Sequence, residues 1–319
     1  MRQSVNPAYP DTGTSGLLSA FFQDSPKNPM FSIKPKKSLG QHFLTDKNIA
    51  GKITGALSCK GYDQVIEIGP GMGVLTGFLL ENKNFSTTLI EIDRESAEYL
   101  RNRFPDALDN IYEQDFLHYR LEQEHSSPLA IIGNFPYNIS SQIFFKILDN
   151  RHLVTEVVCM LQKEVAERIV SPPGSKVYGI LSVLIQAWYK TEYLFSVNPQ
   201  VFTPPPNVMS AVIRITRRPV LELGCDEKLF FSVVKTAFNQ RRKMLRNSLK
   251  SFLAGKTDML TSGSEGELMK SPPKAEQPAG KDNIWRGNSD YPLSELLSKR
   301  PEQLSVEEFI RLTNHIEAS

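Results

Sequence analysis

The stretch QVIEIGPGMGVLTGFLL, from Gln64 to Leu80, decides the fold of this 319-residue chain. Its first five residues predict a buried strand, the glycines after it predict a tight turn, and Val74 to Leu80 has the apolar content of a helix. A turn of this kind lets a ligand approach the backbone, as in dinucleotide-binding α/β folds. The fingerprint G-x-G-x-x-G, however, requires a glycine where Val74 stands. The stretch therefore predicts an α/β fold with a ligand at the turn, and it disfavours NAD.

Apolar strands alternate with helical stretches on either side of this unit, from about Lys34 to Arg217. The alternation predicts βαβ units, that is, a mostly parallel, Rossmann-like sheet of seven strands with helices on both faces. The last two strands lie close together across a proline-rich loop, which predicts an antiparallel pair at one side of the sheet. The predicted strands are residues 64–68, 88–92, 110–114, 129–133, 156–161, 192–197 and 210–215.

The chain divides into three parts by composition. Residues 1–33 are rich in Ser, Pro, Gly and Asn and predict a flexible N-terminal tail, which leaves 34–217 as the α/β domain. Strand signals stop after Arg217, so residues 218–319 predict a smaller, all-helical domain with a mobile insertion at about 257–291. The sequence SVEE at 305–308 predicts a capping box at the start of the last helix.

Composition sets bounds on location and metal binding. No apolar run approaches the roughly 20 residues of a membrane-spanning helix, and no secretory leader is present, so we expect a cytoplasmic protein with no membrane partner. The three cysteines are far apart and lack a CxxC pair or a histidine at metal-ligand spacing. We therefore expect neither a disulfide framework nor a zinc site.

Acidic residues lie at the ends of the next two predicted strands. A carboxylate at Glu91 or Asp93 can accept both ribose hydroxyls of an adenosine, and strand alternation alone does not choose between them. Asp115 can hold the adenine amino group or act as an ordinary helix N-cap. With these acids beside it, the pattern E-x-G-x-G-x-G that begins at Glu67 resembles the first motif of class I S-adenosylmethionine-dependent methyltransferases. This resemblance implies S-adenosylmethionine as the cofactor.

The sequence Asn134-Phe135-Pro136-Tyr137 follows the predicted strand 129–133. Asn and Pro also favour turns for backbone reasons alone, so a plain strand-to-turn junction is the alternative. Beside a methyl donor, the Asn134 side-chain oxygen and the Pro136 carbonyl can each accept a hydrogen of an adenine amino group. The Tyr137 ring can stack on the base. Asn134, Pro136 and Tyr137 are therefore the candidate catalytic residues.

Positive charge is concentrated in one segment, although the net charge is only +2. Residues Lys228 to Lys256 contain eight Lys or Arg residues and no Asp or Glu. Such a segment suits a polyanion, and a solvated helix face is the alternative. The candidate RNA-binding residues are the densest part, Arg241, Arg242, Lys243 and Arg246.

Longer motifs extend the resemblance to one family. The chain resembles the ribosomal RNA adenine N6,N6-dimethyltransferases of the KsgA type over nearly all of residues 36–250 and in the final helix. The motifs that carry it, besides those above, are KSLGQHFL at 37–44, NISS at 138–141, QKEVAER at 162–168, FTPPPNV at 202–208 and AFNQRRK at 237–243.

The resemblance implies roles for individual residues. It implies that Phe202 joins Tyr137 in clamping the target base, and it selects Glu91 over Asp93. The implied cofactor contacts are His42, Leu44, Gly69, Glu91, Asp115 and Asn134, with Gly71 in the same glycine turn. Two positions depart from the commonest bacterial pattern, since His42 stands where Asn is usual and Phe135 stands where Leu is usual.

The resemblance also implies a substrate. In this family two adjacent adenines near the 3′ end of small-subunit rRNA, within the immature small subunit, each receive two methyl groups, and we expect the enzyme to be monomeric. A base reached by Tyr137 and Phe202 must be unstacked, which also favours RNA. The alternatives are a resistance methyltransferase acting on large-subunit rRNA and an RNA-binding assembly factor that uses the fold only as a scaffold.

Overall fold

The computed structural model describes residues 33–219, 222–253 and 292–318. The predicted insertion at 257–291 lies outside the described residues, and so does the predicted tail except for its last residue. The described residues from Pro35 onward form one compact unit. The division at residue 217 into an α/β domain and a helical domain stays a prediction.

The centre of the molecule is a seven-stranded sheet with the order β4-β3-β2-β5-β6-β9-β7. The five strands from β4 to β6 are parallel, whereas β9 runs antiparallel to both β6 and β7. This confirms the predicted sheet, including its final antiparallel pair. The strands are β1 Phe43–Leu44, β2 Gln64–Ile68, β3 Ser86–Glu91, β4 Ile111–Glu113, β5 Leu129–Asn134, β6 Val154–Gln162, β7 Tyr189–Val197, β8 Phe202–Thr203 and β9 Ser210–Arg217.

Helices connect the parallel strands and continue beyond the sheet. Side-chain caps begin several of them: the Asp46 carboxylate accepts the N–H groups of Asn48 and Ile49, and Asp226 accepts that of Leu229. The helices are α1 Lys47–Thr54, α2 Val74–Glu81, α3 Arg94–Arg103, α4 Leu121–Glu124, α5 Ser140–Asp149, α6 Lys163–Val170, α7 Ile180–Trp188, α8 Glu227–Asn239, α9 Leu245–Ser248, α10 Lys250–Leu253, α11 Leu293–Ser298 and α12 Val306–Glu317.

The core runs without interruption from the sheet into the C-terminal helices. Strand β5 is buried along nearly its whole length because both faces of the sheet are covered. On one face, Trp188 at the end of α7 meets Phe230 of α8 edge to face, with ring centroids 6.0 Å apart. Six apolar residues of the segment 230–249 are buried in this core, namely Phe230, Val233, Val234, Ala237, Leu245 and Leu249. The capping box of α12 is also confirmed, since Ser305 and Glu308 exchange hydrogen bonds with each other's backbone.

The carboxyl ends of β2, β3 and β5 meet at one edge of the sheet, because β2 pairs in parallel with both neighbours. Strand β3 ends at Glu91, so the expectation that Asp93 shares a strand face with it is wrong. Asp93 is instead the N-cap of α3, where its side chain accepts the N–H of Glu95. Strand geometry thus leaves Glu91 as the acid at the strand end.

A two-stranded sheet of β1 and β8 lies outside the main sheet. Its antiparallel register pairs Leu44 with Phe202, and the N–H of Thr45 extends the pairing by donating to the carbonyl of Val201 at 2.8 Å. This pairing joins two motifs that are far apart in the chain, KSLGQHFL and FTPPPNV. It sets one wall beside the carboxyl edge of the main sheet.

Candidate functional site

A pocket lies at the carboxyl edge of the sheet. It is bounded by the N-terminal segment 39–43, the glycine turn, the ends of β3 and β5, and the turn after β4. Eight of the residues predicted for the site line it: His42, Gly69, Gly71, Glu91, Asp115, Asn134, Pro136 and Tyr137. The structure thus brings the predicted cofactor residues and the predicted catalytic residues to one place.

The glycine turn forms the floor of the pocket. Gly71 has φ of 54°, and a Cβ there would lie 2.8 Å from the ring of Phe43, so only glycine allows the segment 39–43 to close over the turn. Gly69 also has positive φ, at 64°, but a Cβ there would meet no protein atom within 4 Å. Since Gly69 lines the pocket, its missing side chain leaves room for a ligand against the backbone.

Glu91 is held rigidly beside this turn. Its Oε2 accepts the N–H of Gly71 and its Oε1 accepts the N–H of Asp93, both at 2.9 Å. Burial raises the pKa of Glu91, while these two backbone donors act in the opposite direction by stabilising the carboxylate. Each oxygen can accept a second hydrogen bond, so the pair fits the two hydroxyls of a ribose.

Asp115 lies in the turn after β4 and already serves that turn. Its carboxylate accepts the N–H of Leu117 at 2.8 Å and contacts Nδ1 of His118 at 3.0 Å. The alternative of a local capping role is therefore realised in part, because the carboxylate caps this single helical turn. Asp115 nevertheless lines the pocket and is only partly exposed, so the ligand role stays a prediction.

The Asn134 side chain has a defined orientation. Its Nδ2 donates to the backbone carbonyl of His42 at 2.8 Å. A carbonyl can only accept, so the amide nitrogen must face His42, and the amide cannot be flipped. Its Oδ1 is buried without a hydrogen-bond partner among the described residues. An unpaired buried acceptor is unfavourable, so this oxygen is suited to receive a donor from a ligand.

Of the three residues after Asn134, Phe135 packs in the core and the other two line the pocket. Phe135 is buried against Phe144, with ring centroids 5.9 Å apart, and therefore packs in the core. The Pro136 carbonyl accepts the N–H of Ile139 at 3.2 Å and retains a second lone pair. Pro136 and Tyr137 line the pocket beside Asn134.

Two contacts hold the Tyr137 ring. The His42 imidazole stacks on it with ring centroids 5.6 Å apart and planes inclined by 28°. The Tyr137 hydroxyl lies 2.5 Å from the hydroxyl of Ser210, at the start of β9. His42 is itself fixed, because its Nδ1 donates to the Pro204 carbonyl at 2.8 Å. The side chain of His42 thus contacts the Tyr137 ring, and a direct cofactor contact stays a prediction.

Leu44 and Phe202 are not among the residues that line this pocket. They are 4% and 3% exposed and belong to one hydrophobic cluster. In this arrangement Phe202 supports the wall of the site, and it presents no face to a base in the pocket. The predicted clamp by Phe202 and the predicted cofactor contact of Leu44 are therefore not visible here and stay predictions.

The four candidate RNA-binding residues differ in their surroundings. Arg242, Lys243 and Arg246 are exposed. The Arg241 guanidinium instead donates to the carbonyl of Lys176 at 2.5 Å and lies 3.9 Å from the carboxylate of Glu302. Arg241 therefore ties the loop after α6 to the turn before α12, and its contribution to RNA binding stays a prediction.

Three features of the site were missed in the sequence. Lys36 Nζ lies 2.5 Å from Asp93 Oδ1, and Gln41 Nε2 donates to Asp93 Oδ2 at 3.3 Å, which fastens the segment 36–41 beside the pocket. Glu67 is fully buried, and this burial raises its pKa to about 8 despite a hydrogen bond from Thr76. Ser210 gives no signal in the sequence because a serine in a strand has many ordinary uses.

Within the described residues, no group of three or more His, Cys, Asp or Glu residues is placed to hold a metal ion. None of the helices described is both long enough and apolar enough to span a bilayer.

Two kinds of sequence comparison agree on the family. The model of the ribosomal RNA adenine dimethylase family matches residues 32–276. The chain is 51% identical over 288 residues to the ribosomal RNA small subunit methyltransferase A of Bacteroides fragilis, covering 89% of this chain and 93% of that protein. It is 52% identical over 290 residues to the protein of the same name from Flavobacterium johnsoniae, covering 91% and 98% of the two chains.

Solved structures share the fold. A dimethyladenosine transferase from Plasmodium falciparum matches with a TM-score of 0.66 and 23% identity, covering 87% of this chain and 98% of that one. The 23S rRNA methyltransferase ErmE matches with a TM-score of 0.57 and 23% identity, covering 86% and 99%. These two likenesses support the predicted Rossmann-like α/β fold. On the breadth of the family match and the identity to these relatives, the chain belongs to the ribosomal RNA adenine dimethylase family.

Proposed function

We propose that this protein transfers methyl groups from S-adenosylmethionine to N6 of adenine in small-subunit ribosomal RNA. The target is two adjacent adenines near the 3′ end, and four transfers convert both to dimethyladenosine. The observation that carries the proposal is the orientation of Asn134, whose amide nitrogen is bound to the His42 carbonyl while its buried oxygen has no partner among the described residues. That oxygen is an acceptor prepared for an amino group.

The adenine amino group is a weak nucleophile because its lone pair is delocalised into the ring. Hydrogen bonds from N6 to Asn134 Oδ1 and to the Pro136 carbonyl favour a pyramidal nitrogen and stabilise the positive charge that develops on it. Stacking on Tyr137 fixes the ring, so the amino group is held in line with the methyl group. A strong general base is unnecessary, since the alkylated cationic nitrogen loses its proton readily.

Bound S-adenosylmethionine supplies an electrophilic methyl group on a sulfonium centre. The residues present fit this molecule: Gly69 leaves backbone exposed at the floor, and Glu91 offers a second acceptor site on each oxygen. We assign the ribose to Glu91, the adenine amino group of the cofactor to Asp115, and further contacts to His42 and Leu44.

The charge distribution supports RNA as the substrate. Arg242, Lys243 and Arg246 are exposed on a segment without acidic residues, and exposed cations of this kind bind phosphates. We propose that the enzyme acts as a monomer in the cytoplasm, on rRNA within immature small subunits. Binding to those subunits before catalysis gives it an additional part in their assembly.

The test is methyl transfer from tritium-labelled S-adenosylmethionine to small subunits isolated from cells that lack rRNA dimethyladenosine. We expect label in dimethyladenosine of the small-subunit rRNA and none in large subunits. Label in large subunits would indicate a resistance-type methyltransferase. Binding of immature small subunits without any transfer would indicate a scaffold factor. Light scattering of the purified protein tests the monomeric state.

A further inference from the structure

We propose that Ser210 is a positioning residue that sets the direction of the Tyr137 ring for stacking on the target base. The proposal rests on the proposed function, because Tyr137 matters through the base that it holds. Its geometric basis is the 2.5 Å contact between the two hydroxyl groups at the edge of the sheet.

The backbone of Ser210 is fixed on both sides. Ser210 is the first residue of β9, where it pairs with Gln162 of β6 and with Val197 of β7. Its side chain is fully buried. A hydroxyl held in this way moves little, so it is a rigid anchor for the tip of a neighbouring ring.

The two contacts of Tyr137 restrict different torsions. The phenolic oxygen lies on the axis about which the ring rotates, so the bond to Ser210 fixes where this axis points, which is χ1. Stacking by His42, with the planes inclined by 28°, fixes the rotation about that axis, which is χ2. Both restraints come from one segment, because His42 donates to the carbonyl of Pro204, six residues before Ser210. The segment 202–210 thus holds the stacking residue through Ser210 directly and through Pro204 by way of His42.

Burial strengthens the restraint. Tyr137 is partly buried, and this burial raises the pKa of its hydroxyl, so the group is a neutral phenol at physiological pH. Between two neutral hydroxyls in a buried position, loss of one partner leaves the other unsatisfied. Removing either hydroxyl therefore loosens the same torsion.

The experiment is a cycle of Ser210→Ala, Tyr137→Phe and the double variant. It compares kcat/KM for small subunits, the affinity for S-adenosylhomocysteine, and the quenching of 2-aminopurine placed at the target position of an rRNA fragment. We expect each single variant to lose about threefold to tenfold in kcat/KM and part of the quenching, with unchanged cofactor affinity. The double variant should be no worse than Tyr137→Phe alone. Ser210→Thr retains the hydroxyl and should recover most of the activity.

Additive losses in the double variant, or a Ser210→Ala enzyme with wild-type quenching and kcat/KM, would overturn the proposal. A loss that appears in cofactor affinity would do the same, because it would indicate general damage to the pocket. If the wild-type protein transfers no methyl group, the proposed function fails, but the spectrum of carbon-13-labelled tyrosine still decides the role of Ser210. The Tyr137 signals should then report one χ1 rotamer in the wild type and averaging between rotamers in Ser210→Ala. The same χ1 behaviour in both proteins would refute the role.

Discussion

The Asn134 side chain has two hydrogen-bonding groups, and substitutions can test what each contributes. In Asn134→Ala both the donor to His42 and the free acceptor Oδ1 disappear. Loss of one preorganised group that stabilises developing charge costs about 2.7–4 kcal/mol, which corresponds to about 10²–10³ in kcat. The His42 carbonyl also loses its partner, which adds about 1–3 kcal/mol of destabilisation if no water replaces it.

Asn134→Asp is the more informative change. An ionised aspartate would place an acceptor oxygen 2.8 Å from the His42 carbonyl, so the arrangement disfavours the charged form and raises the pKa of the introduced carboxyl. The protonated acid reproduces the asparagine, because its O–H donates to His42 and its other oxygen accepts. We therefore expect the activity of Asn134→Asp, relative to wild type, to increase as the pH falls.

The assay is single-turnover methyl transfer across a pH series, with S-adenosylhomocysteine affinity measured by calorimetry to confirm an intact pocket. Phe135→Leu is the matched control, since Phe135 only packs in the core and its activity should stay close to wild type. Full activity in Asn134→Ala, or a ratio of Asn134→Asp to wild type that does not rise on acidification, would refute the reasoning.

Three further predictions concern stability and RNA binding. In Gly133→Ala the new Cβ would lie 2.5 Å from the backbone oxygen of Ile68, so we expect a destabilisation of about 1–3 kcal/mol in urea unfolding, and an unchanged midpoint would contradict this close approach. Burial lowers the pKa of His125 below 6.5, so the unfolded state binds the proton first and the free energy of unfolding should decline below about pH 6.5. His125→Gln should weaken this decline. If the wild type and His125→Gln lose stability equally on acidification, His125 is not the source. Arg242→Ala should lower the salt dependence of RNA binding by about one unit of slope, whereas Arg241→Ala should mainly lower the melting temperature, and the reverse pattern would show that Arg241 is the phosphate contact.

Much of the fold was predictable because its signals are local and repeated. All seven strands of the main sheet were predicted. The signal is strongest where a strand such as Leu129–Asn134 is buried on both faces, because such a strand needs a continuous apolar sequence. The paired β1 and β8 were not predicted, because two residues carry no periodicity. Strand alternation also treated Asp93 as a strand residue, whereas the backbone leaves the strand at Glu91 and begins a helix.

The site was predictable where a residue acts by its position at a strand end. Asn134 was expected at the site because it follows a predicted parallel strand. The strand order placed either Glu91 or Asp93 there, and only the family resemblance selected Glu91. Contacts between distant segments were not predictable in this way. Two of these contacts, Lys36 with Asp93 and Ser210 with Tyr137, join residues more than 50 positions apart. The burial of Phe202 depends on which face of its strand is covered, and local sequence does not show this.

The contact between Trp188 and Phe230 bears on how this enzyme unfolds. The same buried cluster includes Ile131 of β5 and Phe309 of the last helix, so removal of the C-terminal helices would expose large aromatic surface directly behind the sheet. A fragment that ends at Arg217 would therefore aggregate and not act as a smaller catalyst. In a denaturant titration, the sheet and the helices should lose structure together. Methyl transfer and RNA binding should therefore be lost at the same denaturant concentration.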